Sequence, residues 1–314
     1  MKQLLASAGL ILATLLWGSA FAAQRNAMTS ITPVAFIILR NLAGVAALAL
    51  VIMLLDVIRR KKISLWGSIS TQEERRTLLA GGFFCGLAIA PAMISQQTGL
   101  LETSAGKSGF LTALYIIIVP VLGIFFKRRT SPALWLGVGL ALTGSFLLCY
   151  QPGAMTVSRS DLMVILCAFC YALHILVSDR YAPHTDCIRL SFLQFVTATV
   201  LAGLVTIFVP QNWSMQAIQS SMKYWIYCGI GSTAIAFTLQ MVSQKYLPPV
   251  TTSLLMSLES VFAVLAGWLF LQEKLTLPEF AGCLLVFLAV LIAQLPERRK
   301  TSGAKKEGCV LNID

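Results

Sequence analysis

Val250–Leu271, VTTSLLMSLESVFAVLAGWLFL, is long enough to cross a bilayer and carries a single carboxylate, Glu259, near its middle. At ~1.5 Å per helical residue Glu259 lies roughly 13 Å from the start of the stretch, close to the midplane of a ~30 Å hydrocarbon layer. An acid at that depth costs about a few kcal/mol to insert, so it faces a bundle interior or a wet cavity rather than lipid. Ser253, Ser257 and Ser260 flank it and supply hydroxyls. Two readings stand side by side: a functional carboxylate, or a protonated glutamic acid that only joins two helices.

The rest of the chain has the same character. Of its 314 residues 57% are hydrophobic and 12% charged, and the mean hydropathy is +0.79, a composition outside the range of water-soluble domains. Apolar runs occupy about 4–23, 33–54, 77–96, 104–125, 133–150, 161–178, 188–209, 223–243, 250–271 and 278–295, which predicts an all-α integral membrane protein with ten transmembrane helices. The remaining polar pieces are short, and the basic tail 297–314 is expected to be disordered.

A net charge of +11 would suggest a nucleic-acid partner in a soluble protein, but here the basic residues sit in short loops between spans, so the expected partner is the lipid bilayer. With the N-terminus inside, 18 Lys and Arg residues fall on the inner side and 5 on the outer, with Arg40 inside a span. That asymmetry predicts cytoplasmic N- and C-termini in the cell (inner) membrane. Lys2 and the run ending Ala20-Phe21-Ala22 resemble a signal peptide, yet cleavage there would remove a span and break the repeat described below. All eight cysteines but Cys309 lie in or beside apolar runs, and Cys167-x-x-Cys170 lacks a second pair, so they read as small hydrophobes and neither metal nor cofactor is expected.

Polar residues inside the spans are the candidate functional groups. Trp17, in Trp17-Gly18-Ser19-Ala20-Phe21, reads as a cavity aromatic or an interfacial anchor. Arg40 lies ~10 Å below the outer boundary, as a carboxylate-binding fork or as a side chain reaching back to the headgroups. Ser108, Thr112 and Tyr115 share one helical face, pointing to a cavity or to interhelical hydrogen bonds. Tyr171, His174 and Ser178 share another, and His174 is either a proton carrier or a packing residue. Gly82-x-x-x-Gly86 marks a close helix approach, and Gln240 and Gln244 add polarity to the eighth span.

Trp17, Arg25, Pro33 and Arg40 pair with Tyr171, Asp179, Cys187 and Gln194 at a constant offset of 154. Thr130 and Pro132 pair with Thr276 and Pro278 at 146. Five spans per half is an odd number, so halves 1–150 and 151–296 are expected to be inverted five-helix repeats.

Leu16-Trp17-Gly18-Ser19-Ala20-Phe21 with Pro33 and Arg40, then Ser104 to Tyr115 running to Val119-Pro120, then Ser257-Leu258-Glu259-Ser260-Val261 and Leu271 to Thr276, resemble EamA-type members of the drug/metabolite transporter superfamily. The resemblance covers all ten spans. It implies ten helices in two inverted repeats, a central cavity, and export of small metabolites by alternating access. Arg25 stands where the family commonly has lysine. Ser260 replaces the proline usual after Glu259, which bears on whether this helix bends.

From the residues themselves, Trp17, Arg40, Tyr115, Tyr171 and Gln240 are expected to bind a small polar solute such as an amino acid, because a guanidinium fork matches a carboxylate. Arg40 lies ~22 Å and Glu259 ~13 Å above the inner side, an axial offset of ~9 Å that leaves room for substrate between them. Glu259 and His174 are the expected proton-coupling pair. A multidrug or cationic-compound permease is the alternative. A membrane acyltransferase is more distant, because His174 and Asp179 lie about 140° apart around a helix. No G-x-x-x-x-G-K-[ST] loop is present, so the driving force is an ion or solute gradient. The chain is expected to act as a monomer or homodimer.

Overall fold

The computed structural model describes residues 1–61, 63–64, 66–67, 69, 71–103, 105–125, 130–149, 158–271 and 276–295. The expectations for Ser104, the basic run 127–129, the junction at 150–151, residues 272–275 and the tail 297–314 lie outside them. Among the described residues the regular structure is entirely helical. That follows from the setting, since a helix satisfies its backbone groups within one segment where no water is at hand.

The helices are α1 (Lys2–Ala27), α2 (Pro33–Arg60), α3 (Gln72–Gly99), α4 (Ala105–Ala113), α5 (Tyr115–Phe125), α6 (Pro132–Cys149), α7 (Arg159–Tyr181), α8 (Cys187–Val205), α9 (Met215–Ser220), α10 (Met222–Tyr227), α11 (Phe237–Gln244), α12 (Pro249–Met256), α13 (Leu258–Leu271) and α14 (Leu277–Gln294). A π-helical stretch, Cys228–Ala236, joins α10 to α11. Eight helical segments are long and apolar enough to cross a membrane, and Pro132–Leu148 and Pro249–Leu265 are shorter apolar helices. Starts are written locally. Thr71 with Glu74, Ser158 with Asp161 and Thr276 with Glu279 form reciprocal capping boxes, and Pro33 and Pro249 open α2 and α12, where a missing N–H costs nothing.

Two of the expected continuous spans are interrupted. The fourth breaks at Leu114, between α4 and α5, and the ninth at Ser257, between α12 and α13. No proline follows Glu259, so serines loosen the ninth span instead. Ser257 Oγ donates to the Leu254 carbonyl at 2.6 Å and Ser260 Oγ to the Ser257 carbonyl at 2.8 Å, competing with the backbone ladder at the break.

Packing repeats across the two halves. Helix α3 lies along α7 and α8, while the π stretch with α10 and α11 lies along α1 and α2. The broken pair α4–α5 rests on α7, and α12–α13 rests on α1. Helices α2 and α8 pack on each other, as do α6 and α14. Exchanging the halves maps the first four pairings onto one another and returns α2–α8 and α6–α14 to themselves. The expected Gly82–Gly86 approach is real: a Cβ on Gly86 would come within 2.7 Å of the Gln194 carbonyl on α8. Asp56 at the end of α2 meets Arg189 of α8 at 2.6 Å, and Lys107 of α4 meets Asp161 of α7 at 2.7 Å, each tying one half to the other.

Polarity is distributed as lipid demands. Phe125, Phe208, Ile58 and Leu277 are exposed, whereas Arg40, Glu259, His174, Gln194 and Gln240 are buried.

Candidate functional site

Arg40 lies in the first third of α2 and is 2% exposed, so its side chain turns into the bundle rather than outward. Its Nε donates to Thr233 Oγ1 at 3.1 Å, Nη1 to Gln24 Oε1 at 2.9 Å and Nη2 to Ser232 Oγ at 2.7 Å. Thr233 and Ser232 belong to the π stretch and Gln24 to α1. All three partners are neutral. Burying a guanidinium costs about several kcal/mol, and hydrogen bonds to a charged group return about 1.5–3 kcal/mol each, so three of them offset the burial without cancelling the charge. A guanidinium has five N–H donors, of which these bonds engage three. Two N–H donors of Arg40 are left over by these bonds, and a planar fork of donors is the geometry that matches a carboxylate.

Glu259, 5% exposed, follows the break in the ninth span, and Tyr115 follows the break in the fourth. Tyr115 donates its hydroxyl to Glu259 Oε1 at 3.0 Å. No ion pair joins Arg40 to Glu259 among the described residues.

Both groups line one cavity, together with Trp17, Phe21, Gln24, Gln96, Thr112, Tyr171, Ser232, Phe237 and Met256. Its walls are close: the free volume is about 30 Å³, well below the ~300–1,000 Å³ usual for small-molecule sites. Gln96 crosses the cavity wall, donating to Thr112 Oγ1 at 3.2 Å and accepting the Tyr171 hydroxyl at 3.3 Å. Trp17 Nε1 donates to the Ser232 carbonyl at 3.3 Å, and its ring meets Phe237 edge-on at 4.9 Å.

Of the residues expected to bind substrate, Trp17, Arg40, Tyr115 and Tyr171 line this cavity, and Glu259 joins them. Gln240 does not. It is buried three residues past Phe237 and donates to Gln244 Oε1 at 3.3 Å, while Gln244 Nε2 donates to the Ile175 carbonyl at 2.9 Å. His174 is likewise absent from the lining, with Nε2 at 2.9 Å from Gln194 Oε1 and 3.3 Å from Ser178 Oγ. The Ser108–Thr112–Tyr115 face holds both expected uses, since Thr112 and Tyr115 line the cavity and form interhelical bonds, while Ser108 Oγ is buried without a partner. Gln24, Gln96, Ser232, Thr233 and Phe237 are the site residues that sequence reasoning did not single out.

These features define a multi-pass helical membrane protein with a cavity that an arginine and a glutamate both line. The chain belongs to the EamA-like transporter family, whose model matches it twice, over residues 4–150 and 158–294, within the drug/metabolite transporter superfamily. It is similar to an uncharacterized transporter of Archaeoglobus fulgidus, at 27% identity over 94% of this chain and 87% of that one. It is also similar to the threonine/homoserine exporter RhtA of Escherichia coli strain K12, at 28% identity over 86% of this chain and 85% of the relative. A solved structure described only as a protein shares the fold with a TM-score of 0.73 at 18% identity, covering 92% of this chain and 96% of that one.

Proposed function

We propose that the chain is a secondary transporter that exports small polar metabolites bearing a carboxylate, amino acids foremost, across the cytoplasmic membrane by alternating access. The observation that carries this reading is Arg40, held by three neutral acceptors on the wall of a cavity that Glu259 also lines. A zwitterion suits the two ends. Its carboxylate takes the free donors of Arg40, and its ammonium takes Glu259 against the Trp17, Tyr171 and Phe237 rings. The exporter name of the RhtA relative supports the direction and the substrate class. Ten crossings in two inverted halves, 1–150 and 151–296, with both termini cytoplasmic, complete the reading. Its support is the exchange symmetry of the helix pairings, the two matched segments and the inner excess of basic residues.

Glu259, and His174 behind Phe237, are the groups we assign to proton coupling. Glu259 follows a helix break beside the cavity with one hydroxyl partner, so it can exchange that partner for an ammonium group or a proton during a cycle. A cationic-compound permease is the second reading, favoured by the aromatic wall beside Glu259. The chain acts as a carrier rather than a catalyst, as a monomer or homodimer. Purified protein in liposomes, offered labelled amino acids and cationic drugs in parallel, decides: amino-acid flux supports the first reading, and flux of cations alone overturns it.

A further inference from the structure

Outside the cavity lining, helices α7, α8 and α11, the last of which packs on the other two, carry a second set of buried polar groups. His174 of α7 and Gln194 of α8 are both fully buried and bonded to each other at 2.9 Å, yet His174 Nδ1 and Gln194 Nε2 have no partner. Ser191 Oγ, one helical turn from Gln194, and Gln240 Oε1 on α11 are also buried and unpartnered. Helix α11 is tied to α7 at the residue after His174, through Gln244 and the Ile175 carbonyl. Buried polar atoms without protein partners are the mark of a site that water or a polar ligand fills.

One ring packs against residues of both groups. Phe237, 3% exposed, touches Trp17 at 4.9 Å and Tyr171 at 6.5 Å on the cavity side. It also meets His174 edge-on at 5.9 Å and Phe195 at 5.3 Å. It is also the first residue after the π stretch that supplies Ser232 and Thr233 to Arg40. A π stretch is rare and frequently marks a functional site, and its i→i+5 bonding sets the rotation of the residue that follows it.

We infer that the His174, Gln194, Ser191 and Gln240 cluster is a second solute station, on the cytoplasmic leg of the path, and that Phe237 is the partition between it and the central cavity. The inference rests on the transporter reading above. The station holds water at rest and receives the polar head of the solute in transit. Its one amide donor and several acceptors, without fixed charge, suit brief hydrogen bonding rather than tight retention. Rearrangement of the π stretch on solute binding at Arg40 turns Phe237 aside and joins the two chambers.

The test is sided labelling of Ser191→Cys, a near-isosteric change, by a small charged, membrane-impermeant thiol reagent, with the unsubstituted chain as background. With Phe237 intact the new thiol should react from the face bearing Lys2 and Lys245 and be protected from the opposite face. Adding Phe237→Ala should open it to reagent from the opposite face, at least tenfold faster than before. No reaction from the inner face, outer reaction with Phe237 intact, or no gain in Phe237→Ala each overturns the proposal. Gln240→Cys serves as the reporter if Ser191→Cys does not reach the membrane. Labelling is blind to which solute is carried, so a dry station with intact amino-acid transport sinks only this inference, and a labelled station without such transport sinks only the substrate reading.

Discussion

The hydroxyl of Tyr115 donates to Glu259 Oε1 at 3.0 Å, and each residue follows the break in its own span, Leu114 in one and Ser257 in the other. The two interrupted spans therefore meet through one hydrogen bond beside the cavity. Helix breaks free backbone groups and admit motion at that level, which is tolerated in a membrane only where the chain lines a cavity. Tyr115→Phe leaves the buried carboxyl without that donor at a cost of about 1–3 kcal/mol. We expect it to slow transport about tenfold in liposomes while the purified protein stays monodisperse; an unchanged rate would remove the contact from the mechanism.

Glu259→Gln keeps the shape and loses the titratable group. The variant should bind solute yet transport with a flattened dependence on pH, measured as flux across an imposed proton gradient. Parental rate and parental pH dependence together would end the coupling role assigned to Glu259.

Gly18 permits α1 to lie against α13. A Cβ there would come within 2.6 Å of the Glu259 carbonyl and 2.9 Å of the Ala263 nitrogen, both backbone atoms that cannot give way cheaply. Gly18→Ala should therefore lower thermal stability in detergent by the equivalent of about 1–3 kcal/mol. At Gly139 on α6, nothing lies within 4 Å of the added carbon, so Gly139→Ala should be neutral or gain a few tenths up to about 1 kcal/mol from helix propensity. Equal melting of the two variants would contradict the packing described for α1 and α13.

Sidedness follows from the charge asymmetry. Thr29→Cys, in the exposed turn between α1 and α2, should react only with reagent outside sealed cells, and Lys61→Cys, exposed after α2, only with reagent admitted to the cytoplasm. The reverse pattern would turn the molecule over.

Much of the fold was legible because lipid imposes one rule on every span: a long apolar run must close its backbone bonds as a helix. Arg40 and Glu259 were legible for the complementary reason, since a charge inside such a run is costly enough to be noticed against its neighbours. Gln24 and Gln96 were not, because neutral amides near helix ends read equally well as interfacial or packing residues. Ser232 and Thr233 were hidden by the π stretch, which has no periodic signature. Bonding to the fifth residue instead of the fourth shifts the faces that follow, so Gln240 falls behind Phe237 and not beside Arg40. The break at Ser257 was readable only in its ingredients, since three serines can loosen a helix but need a neighbouring cavity to do so.

The account stands on Arg40 as the carboxylate receptor, and Arg40→Lys tests it most directly. Lysine keeps the positive charge but replaces a planar fork by a point charge, which cannot hold Gln24, Ser232 and Thr233 in place while presenting paired donors to a carboxylate. Binding and flux of a labelled amino acid should be measured with parent and variant in the same liposomes, matched for protein content and thermal stability. The account predicts at least a tenfold loss of affinity, about 1.4 kcal/mol, with a corresponding loss of transport. Parental affinity and parental rate in Arg40→Lys would contradict it.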